Sequence, residues 1–325
     1  MAEMLPIILS VLGVFLVMGI GGAARYAGWL TTEADRTLAK LVAGVMLPCY
    51  FLDNILYSDD IAAISESWLP PLIGFVWTSF TFAIAYTLAR KFGPVFGLTS
   101  STSQRTFGIG VGICNYGYIP YPLTQQFYAE SMIDLILHNA GVDLALWSVG
   151  VLIISGGATM GGDRSKPSWQ AAILSPPFIA AIVALVVRAA GYQDFLPVPF
   201  QKAISSLAVC AIPLGLLLSG AMLMEFSKQF SPKKGWRVIF AAVALRQVLF
   251  PAGLLLLGST MIADPSLRRV LVMEAAMPAA IFPIVLVRLY GGDTQISIQV
   301  ILSTSLLGIL AIPIWLTLGQ WWLFG

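Results

Sequence analysis

Asn115, Asp143, Glu274 and Arg246 stand in stretches that are otherwise mostly apolar, and each could do chemistry there. A carboxamide can donate to and accept from a polar solute, a carboxyl group can carry a proton, and a guanidinium can hold an anion. Ionisable groups are costly away from water, so inside a membrane they point first to a path for ions or solutes. Asn139 is one turn before Asp143 on the same helical face, and Glu274 is one turn before Met277 and Pro278. His138, the only histidine, belongs to the side-chain type that exchanges a proton near neutral pH, and it shares a face with Asp134. Each has a structural alternative. The acids could sit in a fixed ion pair, for instance with Arg246, or cap a backbone amide, and the histidine could be a hydrogen-bonded residue near a helix end.

The stretch "GICNYGYIPYPLTQQF" (112–127) raises the question of what positions these groups. Pro120 and Pro122 each lack an N–H and obstruct the carbonyl one turn back, so "NYGYIPYP" opens a helix. A bilayer core has no water to take up the freed backbone groups, and breakers at that depth survive only where protein or a wet cavity replaces the lost bonds. Tyr116, Tyr118 and Tyr121 beside Asn115 could offer flat surface and hydroxyl donors. The polar run Ser303, Thr304, Ser305 could line a cavity or let helices approach closely.

The elements that carry these residues are membrane spans. Hydrophobic residues make up 58% of the 325-residue chain and charged residues 10%, with a mean hydropathy of +0.85; a soluble domain carries roughly 25% charge. A span of about 20 apolar residues crosses the hydrocarbon core. On that rule ten are expected, at 5–24, 38–56, 68–89, 106–127, 132–156, 169–190, 204–224, 236–262, 267–290 and 296–323. The first is long enough to span and has no basic region ahead of it, so it reads as a transmembrane helix and not a cleavable signal. The net charge of +2 without a long charged run points away from nucleic acid. Cys49, Cys114 and Cys210 are odd in number and lie in apolar segments, which suggests small core hydrophobes and neither disulfides nor a metal cluster. No cofactor is expected.

Most lysines and arginines fall on one family of connections: Arg25, Arg36, Lys40, Arg90, Lys91, Arg105, Arg164, Lys166, Lys228, Lys233, Lys234, Arg237 and Arg288. The other family has Arg188, Lys202, Arg268 and Arg269, with Asp59, Asp60, Glu66 and Glu130 among its acids. By the positive-inside rule the first family is cytoplasmic, and both termini are outside a cell membrane. Splitting the chain in "SGGATMGGDRSKPSW" gives a first repeat (1–156), a short cytoplasmic connection (157–168) and a second repeat (169–325), each with five spans. Pro48 matches Pro213, Trp68 matches Trp236, and Pro120 and Pro122 match Pro278 and Pro283. Five crossings is an odd number, so the second copy is inserted upside down. Broken helices in matching positions of inverted halves can cross near the midplane, with half-helix N-termini aimed at one site for an anion or polar molecule.

"NYGYIPYP" is similar to the N-x-G-F-x-G-x-P pattern of the auxin efflux carrier family, and "EAAMPAAIFPIVLVRLYGG" with the span after it resembles that family's ninth and tenth spans. "MLPCYFLDNIL" and "IPLGLLLSGAML" resemble its second and seventh. The resemblance implies an all-α carrier of ten helices in two inverted five-helix repeats. Crossed, proline-interrupted fourth and ninth helices then lie in a transport domain of helices 3–5 and 8–10, and helices 1, 2, 6 and 7 form a scaffold that also makes a homodimer. It assigns Asn115 as a substrate-contacting amide and Pro122 and Pro278 as marks of the crossover. Here Pro120 replaces the glycine usual two residues before the proline, and the connection between halves is short, as in a compact prokaryotic-type member.

The expectation is therefore a transporter that exports a small organic anion, auxin-like or dicarboxylate, by elevator-type alternating access, and not an enzyme. Its substrate site is expected at Asn115, Tyr116, Tyr118, Pro120, Pro122, Met277 and Pro278, with Asp143, His138, Glu274 and Arg246 as coupling or charge groups. A sodium-coupled symporter of the bile-acid type would share the architecture, and a ligand sensor could keep the fold without transporting. The adjacent acidic pair of sodium/proton antiporters is missing from "HNAGVDLAL", and that stretch also lacks the G-x-G-D of intramembrane aspartyl proteases.

Overall fold

A computed structural model describes residues 4–57, 68–156, 175–192 and 196–325. Asp59, Asp60, Glu66, Arg164, Lys166, the connection 157–168 and the start of the sixth expected span lie outside the described residues. The described chain is helical: α1 (Met4–Tyr26), α2 (Thr32–Leu56), α3 (Leu69–Phe96), α4a (Ser101–Gly112), α4b (Pro120–Phe127), α5 (Ala129–Ser155), α6 (Pro176–Ala189), α7 (Val198–Ser227), α8 (Pro232–Met261), α9a (Pro265–Ala276), α9b (Pro283–Leu289) and α10 (Thr294–Phe324). Seven of these, α1, α2, α3, α5, α7, α8 and α10, are long and apolar enough to cross a membrane. No strand occurs among the described residues; the nearest thing to one is a single antiparallel bridge between Cys114 and Ala279.

Local chemistry explains where these helices begin and bend. Thr31 caps α2 by accepting from the Ala34 amide, Ser100 and Ser103 form a reciprocal capping box on α4a, and Asp264 and Asp293 cap α9a and α10. Two π-helical turns, Val42–Met46 in α2 and Leu245–Leu249 in α8, run up to Pro48 and Pro251. The wider turn gives room for a proline ring that would otherwise strike the carbonyl four residues back. In α8 that carbonyl belongs to Gln247, and the Trp315 indole of α10 donates to it at 2.7 Å.

Two groups of helices form by contact. In one, α1 lies along α7, and α2 packs on α6 and α7. In the other, α3 packs on α5 and α4a, and α10 packs on α8, α9a and α4a. Glycines set the closest approaches. A Cβ on Gly220 of α7 would strike the Met18 carbonyl of α1, and one on Gly141 of α5 would strike the Pro71 carbonyl of α3. Leu5, Leu9, Leu12, Leu16 and Ile20 leave one side of α1 apolar and exposed, as a lipid-facing helix requires.

Gly220→Val and Gly141→Val are therefore expected to lower stability by about 1–3 kcal/mol or more each, because backbone and not a flexible side chain must give way. Gly13→Ala, where nothing lies within 4 Å of the added carbon, should leave the unfolding midpoint in detergent unchanged. Equal midpoints for all three variants would show that these contacts do not limit packing.

Candidate functional site

The fourth and ninth expected spans are each broken. α4a ends at Gly112 and α4b starts at Pro120; α9a ends at Ala276 and α9b starts at Pro283. The unwound segments meet as an antiparallel pair: the Asn115 amide donates to the Pro278 carbonyl at 2.6 Å, and the Ala280 amide donates to the Ile113 carbonyl at 3.2 Å. Each break thus supplies the hydrogen bonds that the other lost. Three further backbone groups are met by side chains from three different helices. Thr81 of α3 donates to the Gly112 carbonyl at 2.6 Å, Thr304 of α10 accepts from the Ala279 amide at 3.2 Å, and Asn139 of α5 donates to the Tyr116 carbonyl at 2.6 Å. In a medium without water, every such group left unpaired would cost free energy, which is why the breaks are tolerable only together.

Around this crossing the expected residues divide. The Tyr116 hydroxyl donates to Asp143 at 2.6 Å, and Asn139 also donates to the Tyr121 hydroxyl at 3.1 Å. Asp143 and Asn139, one turn apart, therefore both hold Tyr116. On α9a, Glu274 is fully buried and accepts from the Cys114 thiol at 2.9 Å. Arg246, 1% exposed, interacts electrostatically with Glu274 and Cys114. It makes no ion pair within 4.0 Å, so the fixed Arg246–Glu274 bridge weighed from the sequence does not form. Asn115 is 7% exposed, and its carboxamide has no hydrogen-bond partner among the described residues. Tyr118 packs its ring on Gly215 of α7, while Pro278 borders Gly308 of α10 and Met277 is fully buried.

Other expected features shift. Pro120 and Pro122 occupy the first turn of α4b, so two amides that would have faced an anion are missing, and α9b is only 7 residues long. Donors at the crossing come from side chains more than from helix ends. His138 is not brought to the crossing: its ring lies beside Gly74 of α3 with Nδ1 3.4 Å from Asn139, and Asp134 bonds Ser266. Cys114 is more than a small core hydrophobe, since it ties the first break to Glu274. Thr81 and Gln247 carried no sequence signal; Thr304 did, in its polar run, and its role is to hold backbone. A surface depression of about 500 Å3 lies elsewhere, among Asp53, Tyr57, Gln201, Lys202, Ser205 and Ser206 between α2 and α7. At the crossing, Tyr116, Gly117 and Tyr118 of the first break are partly exposed.

The model of a family described as membrane transport protein matches residues 6–316. The chain belongs to the auxin efflux carrier family of membrane transport proteins. Relatives of similar length include an uncharacterized transporter of Methanothermobacter thermautotrophicus, 27% identical over 94% of this chain and 96% of the relative. Another, from Methanocaldococcus jannaschii, is 23% identical over the same shares. Membership in this transporter family and the apolar helices make the protein a multi-pass membrane transporter.

For this transporter, Thr304→Val and Thr81→Val each orphan one backbone group at the crossing, and each should cost about 1–3 kcal/mol. Thr260→Val, whose hydroxyl bonds only its own helix at Leu256, should cost little. Thermal unfolding in detergent checks the ranking, and a Thr304→Val midpoint equal to that of Thr260→Val would contradict it.

Proposed function

We propose that this protein is a secondary transporter that exports a small organic anion, auxin-like or dicarboxylate, through the crossing of two broken helices by elevator-type alternating access. One observation carries the reading: two unwound segments are paired through their backbones, with the Asn115 carboxamide buried beside them and unbonded. A buried amide with unused donor and acceptor capacity suits a site that supplies those bonds to a solute.

The architecture of the proposal has ten crossings, with α4a and α4b counted as one and α9a and α9b as another. The broken pairs have matching lengths, 12 and 8 residues in one, 12 and 7 in the other, which supports two inverted five-helix repeats. Helices α1, α2, α6 and α7 are the scaffold and dimerise as the fixed part. Helices α3 to α5 and α8 to α10 are the moving part, with the crossing inside. Between them lie ring and small-residue contacts that can slide: Tyr50 and Phe51 of α2 against Tyr121 at 5.4 and 5.9 Å between ring centroids, and Tyr118 against Gly215. The dominance of Lys and Arg on one family of connections supports both termini outside the cell membrane.

Asn115→Ala is expected to fold normally and to weaken substrate binding by about tenfold, the worth of a lost hydrogen bond that leaves its partner unmet. Thermal-shift titration and proteoliposome flux with a panel of carboxylates and indoles read both outcomes. Parental affinity in the variant would make Asn115 a packing residue, and binding without flux in the parent would make the protein a sensor. For topology, a cysteine at Glu130 should react with an impermeant thiol reagent added outside intact cells, and one at Lys233 should not. The reverse pattern would overturn the orientation.

A further inference from the structure

Three buried polar atoms near the crossing have no hydrogen-bond partner among the described residues: Arg246 Nε, Gln247 Oε1 and Glu274 Oε1. Two of them belong to opposite charges on neighbouring helices, α8 and α9a, that sense each other without touching. Burying two charges and then leaving their contact unmade is unfavourable twice over, in desolvation and in unmade bonds. No purely structural role accounts for it, since a closed ion pair would use the same residues better. Arg246 stands in the π-turn Leu245–Leu249, and its guanidinium lies over the Phe250 ring, 5.7 Å to the centroid.

We propose that Arg246 is the carboxylate-binding residue of the transport site and that Glu274 is its exchangeable counter-ion, taking up one proton whenever a substrate carboxylate occupies Arg246. The proposal rests on the anion-carrier reading above and names what reads the charge. A guanidinium is the planar donor fork that fits a carboxylate with two parallel bonds, and arginine's charge is permanent.

Charge balance supplies the second half. The groups that face Glu274 are Arg246 from α8, Cys114 from the unwound segment after α4a, and Tyr121 from α4b. On α5, Asp143 is held by Tyr116 and His138 is turned toward α3. α10 has no ionisable side chain. One fixed cation therefore meets one acid. In the empty site Arg246 and ionised Glu274 sum to zero. A carboxylate added to Arg246 would leave a surplus negative charge in a dry interior, and a proton from the aqueous side added to a Glu274 carboxylate oxygen restores neutrality. With a monocarboxylate, anion and proton then move together and the transport step carries no net charge, whereas a dicarboxylate carries its second charge along. Cys114, donating to the other Glu274 oxygen, holds the carboxyl group in place in both states.

The test uses purified full-length protein and matched probes: benzoate, indole-3-acetate and succinate, each against its amide. In the parent, carboxylates should bind about tenfold or more tighter than amides. Calorimetry in two buffers of different ionisation enthalpy should show uptake of about one proton per carboxylate bound. Arg246→Gln should erase the preference, and Arg246→Lys should keep part of it. Glu274→Gln should retain the preference and lose the proton uptake. The double variant Arg246→Gln/Glu274→Gln removes both charges together and controls for folding; it should bind acid and amide alike. A parent that prefers no carboxylate sinks the anion-carrier reading itself. A parental preference that persists in Arg246→Gln, or proton uptake that persists in Glu274→Gln, leaves that reading intact and overturns this assignment.

Discussion

The backbone pairing of Asn115 with Pro278 and Ala280 with Ile113 is the constraint on which the rest of the structure depends. In water a broken helix is cheap, because solvent takes over the exposed amides and carbonyls. In hydrocarbon there is no such substitute, so each break must find protein partners at its own depth. Two breaks placed opposite each other solve the problem mutually. Thr81, Thr304 and Asn139 add to it from α3, α10 and α5, which ties those helices to the crossing. The second group of helices is thereby tied to one centre, while its contacts with the first group are mainly aromatic and apolar. A body joined inside by directional bonds and outside by packing is what the proposed elevator step would require.

How much of this could be read from the sequence follows from the kind of signal involved. Apolar runs and caps are local, so the helices were visible, and the prolines in "NYGYIPYP" marked a break that the structure places at residues 113–119. What fills the break was not visible, because hydrogen bonds between α4 and α9 join residues 160 or more positions apart. Thr81 looks like any threonine in a membrane helix. Arg246 and Glu274 were conspicuous as charges, yet their failure to form a bridge is a matter of side-chain geometry that spacing does not reveal. The helix-end electrostatics expected of the breaks were weakened by the same prolines that announced them, since Pro120 and Pro122 have no amide to offer.

His138 shows the opposite case. As the lone histidine it drew a functional reading, but its backbone carbonyl lies against Gly74 where α3 and α5 come closest, and its ring is packed beside that contact. Its position is set by helix packing, as is that of Asp134, which reaches Ser266 on α9a. The polar residues of this protein thus fall into two kinds. Those with satisfied bonds hold the unwound backbone or join helices; of those with an unpartnered buried atom, Arg246, Gln247 and Glu274 lie near the crossing, where a solute could supply the missing partners, while others, such as His138 and Gln299, lie away from it.

The contact of Tyr118 with Gly215 offers the most direct measurement, because it joins the crossing to α7 across the boundary at which the proposed elevator step would slide. Cysteines placed at both positions, in a protein with Cys49 and Cys210 replaced by serine, can be joined by a short thiol cross-linker and assayed for carboxylate flux in proteoliposomes. If the crossing is the transport site and moves against α7, cross-linking stops flux while the uncross-linked variant transports. Parental flux through the fully cross-linked protein would contradict it.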